Sequence, residues 1–237
     1  MEIAYAQKKR SPFRQGMQAS ISIVLGYMPI ALTFGLLAKT TGLTLVETVL
    51  MSAIVYAGAS QYICLNLLAL GTGMFEIVLT TFIVNIRHFL LSASLNERME
   101  KDKIWKKIMY AFGITDETFS VAATKEGTVS TSYLLGIIIP AYGSWVIHSA
   151  LGYVLGASLP QNLQESMSIA LYAMFIGLLV PALKVNKKAI WLAVFAALFH
   201  SLFALVFKFS TGWAIVSATL LSAFMVEWMM KGERTDG

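Results

Sequence analysis

The sequence predicts an all-α integral membrane protein, a polytopic helical bundle of about seven spans with broken or re-entrant helices. Three observations carry that prediction. Hydrophobic residues make up 57% of the 237 positions and charged residues 13%, about half the charge of a typical soluble domain. Six runs carry no Asp, Glu, Lys or Arg: 15–38 (24 residues), 48–75 (28), 127–164 (38), 166–183 (18), 189–207 (19) and 209–226 (18). Each is near or above the roughly 18 residues that let a helix span. The runs also lack the two-residue alternation of barrel strands, which span with about 10 residues each.

The elements follow in chain order. Residues 1–15 form a basic tail (Lys8, Lys9, Arg10, Arg14), which places the N-terminus in the cytoplasm by the positive-inside rule. Residues 16–230 read as a single transmembrane domain, and 231–237 as a C-terminal tail. The first run is longer than a signal-peptide core and leads into further spans, so no cleaved leader is expected. Gly26, Pro29 and Gly35 make 27–35 a candidate kink or break. At the middle of the second run stands Ala57-Gly58-Ala59-Ser60-Gln61, small residues followed by an amide. That pattern suits either close helix packing or an unwound segment lining a cavity. A third segment runs from about Phe75 to Leu95. The loop at 97–107 is the most charged in the chain, and its positive excess reads as cytoplasmic. Three full crossings from a cytoplasmic N-terminus would leave this loop outside, so either one of the three is re-entrant or the loop breaks the rule. The segment 108–123, with Thr115-Asp116-Glu117, could cross, dip in and return, or lie on the surface. Further spans are expected at 131–156, 166–183, 189–207 and 209–228. A faint repeat relates about 16–124 to 131–230: Pro29 to Pro140, Met51–Ala57 to 167–173 and His88 to His200, at offsets of 111, 116 and 112. Duplicated transporters place their sites where two such halves meet and where helices break.

The third segment holds the most informative stretch, Asn85-Ile86-Arg87-His88. At about 1.5 Å per residue, Arg87 lies roughly 16 Å along the helix from Glu76, near the middle of a hydrocarbon core about 30 Å thick. An ionisable residue at that depth is costly and marks a pathway or binding site. Thr81, Asn85, His88, Ser92 and Asn96 follow 4-3-4-4 spacing on one face, and Thr80, Arg87 and Ser94 form a second line at heptad spacing. The plainer alternative is a helix that ends near Arg87, with the guanidinium reaching back to the surface.

A dehydrated site for an amino-acid zwitterion needs a cation for the carboxylate, oxygen acceptors for the ammonium and an apolar wall for the side chain. Arg87 suits the first need, and Asn85, Gln61, Ser60 or broken-helix carbonyls the second. Phe34, Phe89, Met51 and Tyr56 suit the third. Asp116 and Glu117 are candidates to pair with Arg87 or carry a proton, with solvated loop acids as the alternative; His88 could titrate near neutrality or be structural. His148 and His200 read as packing residues. The net charge of +5 sits in short loops beside apolar runs and does not form a nucleic-acid surface. Cys64 is the only cysteine, so no disulfide or zinc site is expected. No HExxH, GxSxG, Walker A or strand-linked GxGxxG occurs, so the chain reads as no enzyme and no cofactor is expected. Without an ATP site, transport would run on an ion gradient or be passive.

Gly58-Ala59-Ser60-Gln61, Asn85-Ile86-Arg87-His88 and Thr115-Asp116-Glu117, in this order and at these distances, resemble the azaleucine-resistance (AzlC-type) branched-chain amino acid permeases. The first span, with Pro29, Phe34-Gly35 and Thr41-Gly42-Leu43, resembles that family as well, and the likeness covers most of 16–200. The resemblance implies the large subunit of a bacterial inner-membrane exporter of valine, leucine and isoleucine, with methionine as a further candidate. It also implies a small, separately encoded AzlD-type membrane subunit as partner, for which small residues at Ala53, Ala57, Gly58, Gly143, Ser144, Ala150 and Gly152 would provide close-approach surfaces. Substrate contacts are expected at Gly58, Ala59, Ser60, Gln61, Asn85, Arg87 and His88. The alternatives from other classes are a non-transporting assembly subunit and a passive channel.

Overall fold

The computed structural model describes residues 11–155 and 186–233, together with 158, 160, 162, 176, 177, 179, 180, 183 and 184. The second copy of the faint repeat at 167–173, most of the expected span at 166–183 and most of the basic N-terminal tail lie outside the described residues. Among the described residues ten α-helices follow one another: α1 Pro12–Ala19, α2 Ile21–Thr40, α3 Leu45–Val55, α4 Gly58–Ala69, α5 Met74–Asn96, α6 Ile104–Phe112, α7 Asp116–Ala123, α8 Thr131–Leu155, α9 Lys187–Ser201 and α10 Thr211–Glu233. A π-turn, Leu202–Val206, continues α9. Among the described residues five stretches are long and apolar enough to cross a membrane: α2, α5, α8, α9 with its π-turn, and Thr211–Met230 within α10. Of the remaining five, α1 precedes α2 and the other four come as two broken pairs, α3/α4 and α6/α7; none reaches the roughly 20 residues of a full crossing alone. The protein is thus an all-α membrane protein.

The chain forms two compact units. The first takes α1, α2 as far as Lys39, α3, Gly58, α5 from Ile86 onward and α6 to α8; the second takes α4 from Ala59, α5 up to Asn85, and α9 and α10. In the first unit, α1 and α2 lie against α8 with backbone touching backbone. A Cβ on Gly16 would stand 2.1 Å from the Tyr133 carbonyl oxygen, one on Gly35 2.0 Å from that of Ser149, and one on Gly152 2.0 Å from that of Leu32. Such approaches are how membrane helices gain van der Waals contact where lipid offers no hydrophobic incentive. Polar side chains complete the seam. The Ser144 hydroxyl donates to the Val24 carbonyl at 3.0 Å, Ser52 to Ser149 at 2.8 Å, and Tyr142 to the Ala53 carbonyl at 2.9 Å. Several small residues that suggested a partner surface are therefore used inside this unit, Ser144 and Gly152 among them. Gly143 differs, because a Cβ there would meet nothing within 4 Å.

Of the kink or break expected over 27–35, the break does not occur. α2 runs unbroken from Ile21 to Thr40, and the Thr33 hydroxyl donates to the Pro29 carbonyl at 2.9 Å. α3 begins at a capping box, Thr44 with Glu47, and stops at Tyr56, whose φ of 43° and ψ of 45° turn the chain out of the helix. α6 stops at Gly113, where a Cβ would lie 2.2 Å from the Ile138 side chain. Two residues later Thr115 caps α7, sharing a second capping box with Thr118. Outside the spans, Arg98 donates to the Ala123 carbonyl at 2.7 Å and to that of Lys125, fastening the loop after α5 to the end of α7. In the same loop, hydrogen bonds from Thr131 and Lys106 hold the Asp102 carboxyl below the usual carboxylate range.

The second unit secures its helix ends with charge. Glu76, in the first turn of α5, accepts from the Ser210 hydroxyl at 2.5 Å and from the Trp213 backbone N–H at 3.2 Å, capping α10. Lys188, at the start of α9, pairs with Glu227 near the end of α10. Along α9 the rings of Trp191, Phe195, Phe199 and Phe203 stack at helical spacing, with centroids 5.8 to 6.3 Å apart.

Candidate functional site

α5 continues nine residues past Arg87, to Asn96, so the guanidinium does not belong to a helix end. Its Nη1 lies 2.8 Å from Oδ2 of Asp116, while a third of the Arg87 side chain and a quarter of that of Asp116 remain exposed. Asp116 is the first residue of α7, where the helix macrodipole favours a negative charge. The pair therefore joins the middle of a spanning helix to the start of a broken one. Arg87 keeps a donor in reserve, because its Nε is buried and bonds to no side chain or backbone group. A planar guanidinium can hold a carboxylate through two parallel N–H bonds, and one carboxylate can be exchanged for another. The charges of Arg87 and Asp116 both act on the half-buried ring of His88.

The next carboxylate is held differently. Glu117 Oε2 accepts from the Tyr27 hydroxyl at 2.7 Å, and the same phenol lies 2.8 Å from the Thr115 hydroxyl. A wall of aromatic rings surrounds this point. Trp145 meets Tyr27 edge-on at 5.1 Å and stacks on Phe34 at 6.4 Å, and its ring tip would lie 2.7 Å from a Cβ on Gly58. Tyr56, at the α3/α4 break, meets Tyr142 at 5.0 Å and Phe112 at 6.2 Å, and Phe112 ends α6. Within the first unit the ends of α3 and α6 are thus brought together around one polar and aromatic cluster.

The expected site residues divide between the units. Arg87, His88, Asp116, Glu117 and Gly58 belong to the first unit, and Ala59, Ser60, Gln61 and Asn85 to the second. Ala59, Ser60 and Gln61 are buried in the first turn of α4. The Asn85 side-chain oxygen is buried and makes no hydrogen bond among the described residues. Of the apolar candidates, Phe34 and Tyr56 are buried and Met51 is half-buried, but Phe89 is 75% exposed and does not line an enclosed wall. His148 is a packing residue, its Nδ1 lying 2.7 Å from the Ser144 carbonyl. Tyr27, Phe112, Tyr142 and Trp145 were not expected at the site. A tyrosine two residues before Pro29 inside an apolar run was the available sign for Tyr27, but nothing local ties it to Glu117, ninety positions away. Among the described residues no three His, Cys, Asp or Glu side chains gather to hold a metal ion.

Comparison with known proteins adds the following. A family model described as "AzlC protein" matches residues 22–159. The inner membrane protein YgaZ of Escherichia coli is 33% identical over 198 residues, covering 80% of each chain. An uncharacterized membrane protein of Archaeoglobus fulgidus is 32% identical over 182 residues, 76% of this chain and 80% of its own. The branched-chain amino acid transport protein AzlC of Bacillus subtilis is 22% identical over 179 residues, 74% of this chain and 70% of its own. No solved structure matches the chain.

Proposed function

The chain belongs to the AzlC family, and from that premise we propose that it exports branched-chain amino acids from the cytoplasm across a bacterial inner membrane, coupled to the proton gradient. Valine, leucine and isoleucine are the proposed substrates, with methionine as a further candidate. The name of the Bacillus subtilis relative supports the substrate class. The observation that carries the mechanism is the Arg87–Asp116 pair, which joins mid-span α5 to the first residue of a broken helix. In this reading the substrate carboxylate displaces Asp116 from Arg87 and uses the reserved Nε donor as well. The displaced Asp116, or Glu117 beside it, takes up the coupled proton. Gly58, Ala59, Ser60, Gln61, Asn85 and His88 remain proposed substrate contacts, and the aromatic wall receives the branched side chain.

We also propose that a small AzlD-type membrane subunit completes the transport unit. Gly143, where a Cβ would meet nothing within 4 Å, is a place where its helix could approach. The test is efflux of labelled valine and leucine from proteoliposomes, with and without a proton gradient and with and without the small subunit. Saturable efflux that follows the gradient supports the reading. Non-saturable flux would indicate a channel, and absence of flux under every condition an assembly subunit.

A further inference from the structure

The chain leaves the end of α5, makes α6 and α7, and returns to the place it left. The Val129 N–H donates to the Arg98 carbonyl at 2.8 Å, and the Glu100 N–H donates to the Val129 carbonyl at 3.2 Å. The Arg98 guanidinium reaches the Ala123 and Lys125 carbonyls at the end of α7, and Asp102 accepts from Thr131, the first residue of α8. The stretch 100–129 thus begins and ends within hydrogen-bonding distance. A segment that crossed a hydrocarbon core would hold its ends about 30 Å apart.

Between those tied ends the chain goes deep. Asp116 meets Arg87 at 2.8 Å, and Arg87 stands nine residues, about 14 Å along the helix, before α5 ends at Asn96. α6 has nine residues and α7 eight, about 12–14 Å each, the length needed to reach that depth and come back. The turn between them suits that depth. Gly113, Ile114 and Thr115 are buried, and the Gly113 and Ile114 N–H groups donate to the Tyr110 and Ala111 carbonyls at 3.0 and 3.3 Å. The Thr115 N–H donates to the Thr118 hydroxyl at 2.7 Å, and that hydroxyl donates to the Gly113 carbonyl at 3.1 Å. Broken backbone is tolerated at membrane depth where its polar groups are satisfied and packed within protein.

The outer face of α6 has matching chemistry. Ile104, Trp105, Ile108 and Met109 stand exposed at i, i+1, i+4 and i+5. The two lysines of the helix are engaged elsewhere, Lys106 with Asp102 at 3.0 Å and Lys107 with Asn96 at 2.9 Å. Lys101 and Lys103 are exposed at the tied end, where anionic headgroups receive positive charge.

We propose that α6 and α7 form a re-entrant hairpin whose outer α6 face is covered by lipid acyl chains. It enters and leaves at one membrane face, the cytoplasmic one by the positive excess of 97–107. Its tip carries Asp116 to Arg87, and the hairpin adds no crossing between α5 and α8. The proposal goes beyond the transport reading and holds whether or not the chain exports amino acids.

The test uses the full chain with Cys64→Ser in sealed membrane vesicles. Lys101→Cys, before α6, and Glu126→Cys, after α7, replace exposed residues. Both should react with an impermeant maleimide in inside-out vesicles and neither in right-side-out ones. Lys103→Cys with Thr128→Cys repeats the comparison if a first variant fails to insert. Nitroxides at Ile104→Cys and Ile108→Cys, in the chain reconstituted with phosphatidylethanolamine and phosphatidylglycerol, then report depth through collisions with oxygen against a water-soluble nickel chelate. Ile108 should lie deeper than Ile104 by up to about 6 Å, four residues of helical rise, with oxygen favoured at both. Labelling of the two ends from opposite faces would reveal a crossing and overturn the proposal. Equal depths would mean a helix lying flat on the surface, and overturn it as well. Poor access of both oxygen and nickel at the two labels would put protein over α6 and refute the lipid assignment.

Discussion

Both units fix carboxylates with polar partners, but at different places along their helices. In the second unit Glu76 caps α10 from the first turn of α5, and Lys188 at the start of α9 meets Glu227 near the end of α10. These charges stand at helix ends, where headgroups and water can also solvate them. In the first unit Arg87 is the fourteenth residue of a 23-residue span, and Asp116 and Glu117 open a helix that begins only after a break. Capping and end-pairing account for the first set of charges. They do not account for the second, in which Arg87 carries an unused buried Nε. Position along the helix, more than the presence of charge, separates a fastening from a site.

The comparison can be broken by mutation. The largest expected effect is at Arg87. Arg87→Ala leaves Asp116 unpaired, and because both side chains are partly exposed the loss is set at about 2–3 kcal/mol, below that of a fully buried pair. Valine efflux should fall about thirty- to a hundredfold; Arg87→Lys, which keeps charge but loses the planar fork, should fall about tenfold. Gly58→Leu comes next. Its Cβ would press on the Trp145 ring, and overpacking of about 1–3 kcal/mol should largely block efflux while the protein still inserts. Glu76→Gln should leave efflux within about twofold of wild type while lowering thermal stability in detergent by about 1 kcal/mol, as for a weakened helix cap. Lys188→Ala should change neither efflux nor stability by a measurable amount, since exposed pairs contribute about 1 kcal/mol at most. Efflux that followed Glu76 as strongly as Arg87 would erase the distinction.

Much of this was legible in the sequence, for reasons that differ by residue. The spans α2, α8, α9 and α10 follow from charge-free length, whereas α5 spans with Glu76 and Arg87 in it and the charge-free run 48–75 is the broken pair α3/α4. Arg87 stood out because apolar sequence resumes after His88. The interruption near Gly58 was visible as small residues before an amide, although the residue that turns the chain is Tyr56. Pro29 makes no break: in lipid a helix tolerates a proline, and Thr33 supplies a hydrogen bond to its carbonyl. Of the small residues on α8 that suggested an external partner, Ser144 and Gly152 serve α2, a choice among equivalent close-approach surfaces that composition does not make. Tyr27 with Glu117, and Trp145 with Gly58, are contacts between distant segments and leave no periodic trace. Phe89 was one apolar candidate for the wall; on the helix it turns outward.

The central claim is that Arg87 receives a carboxylate now held in the place of Asp116. Counterflow of labelled leucine in proteoliposomes, challenged with unlabelled valine or with valinamide, tests it most directly. Valinamide keeps the ammonium and the branched side chain but lacks the carboxylate. The account predicts that valine competes and valinamide does so at least about tenfold more weakly, and that Arg87→Ala loses both binding and that discrimination. Equal competition by valinamide, or wild-type discrimination retained by Arg87→Ala, would contradict it.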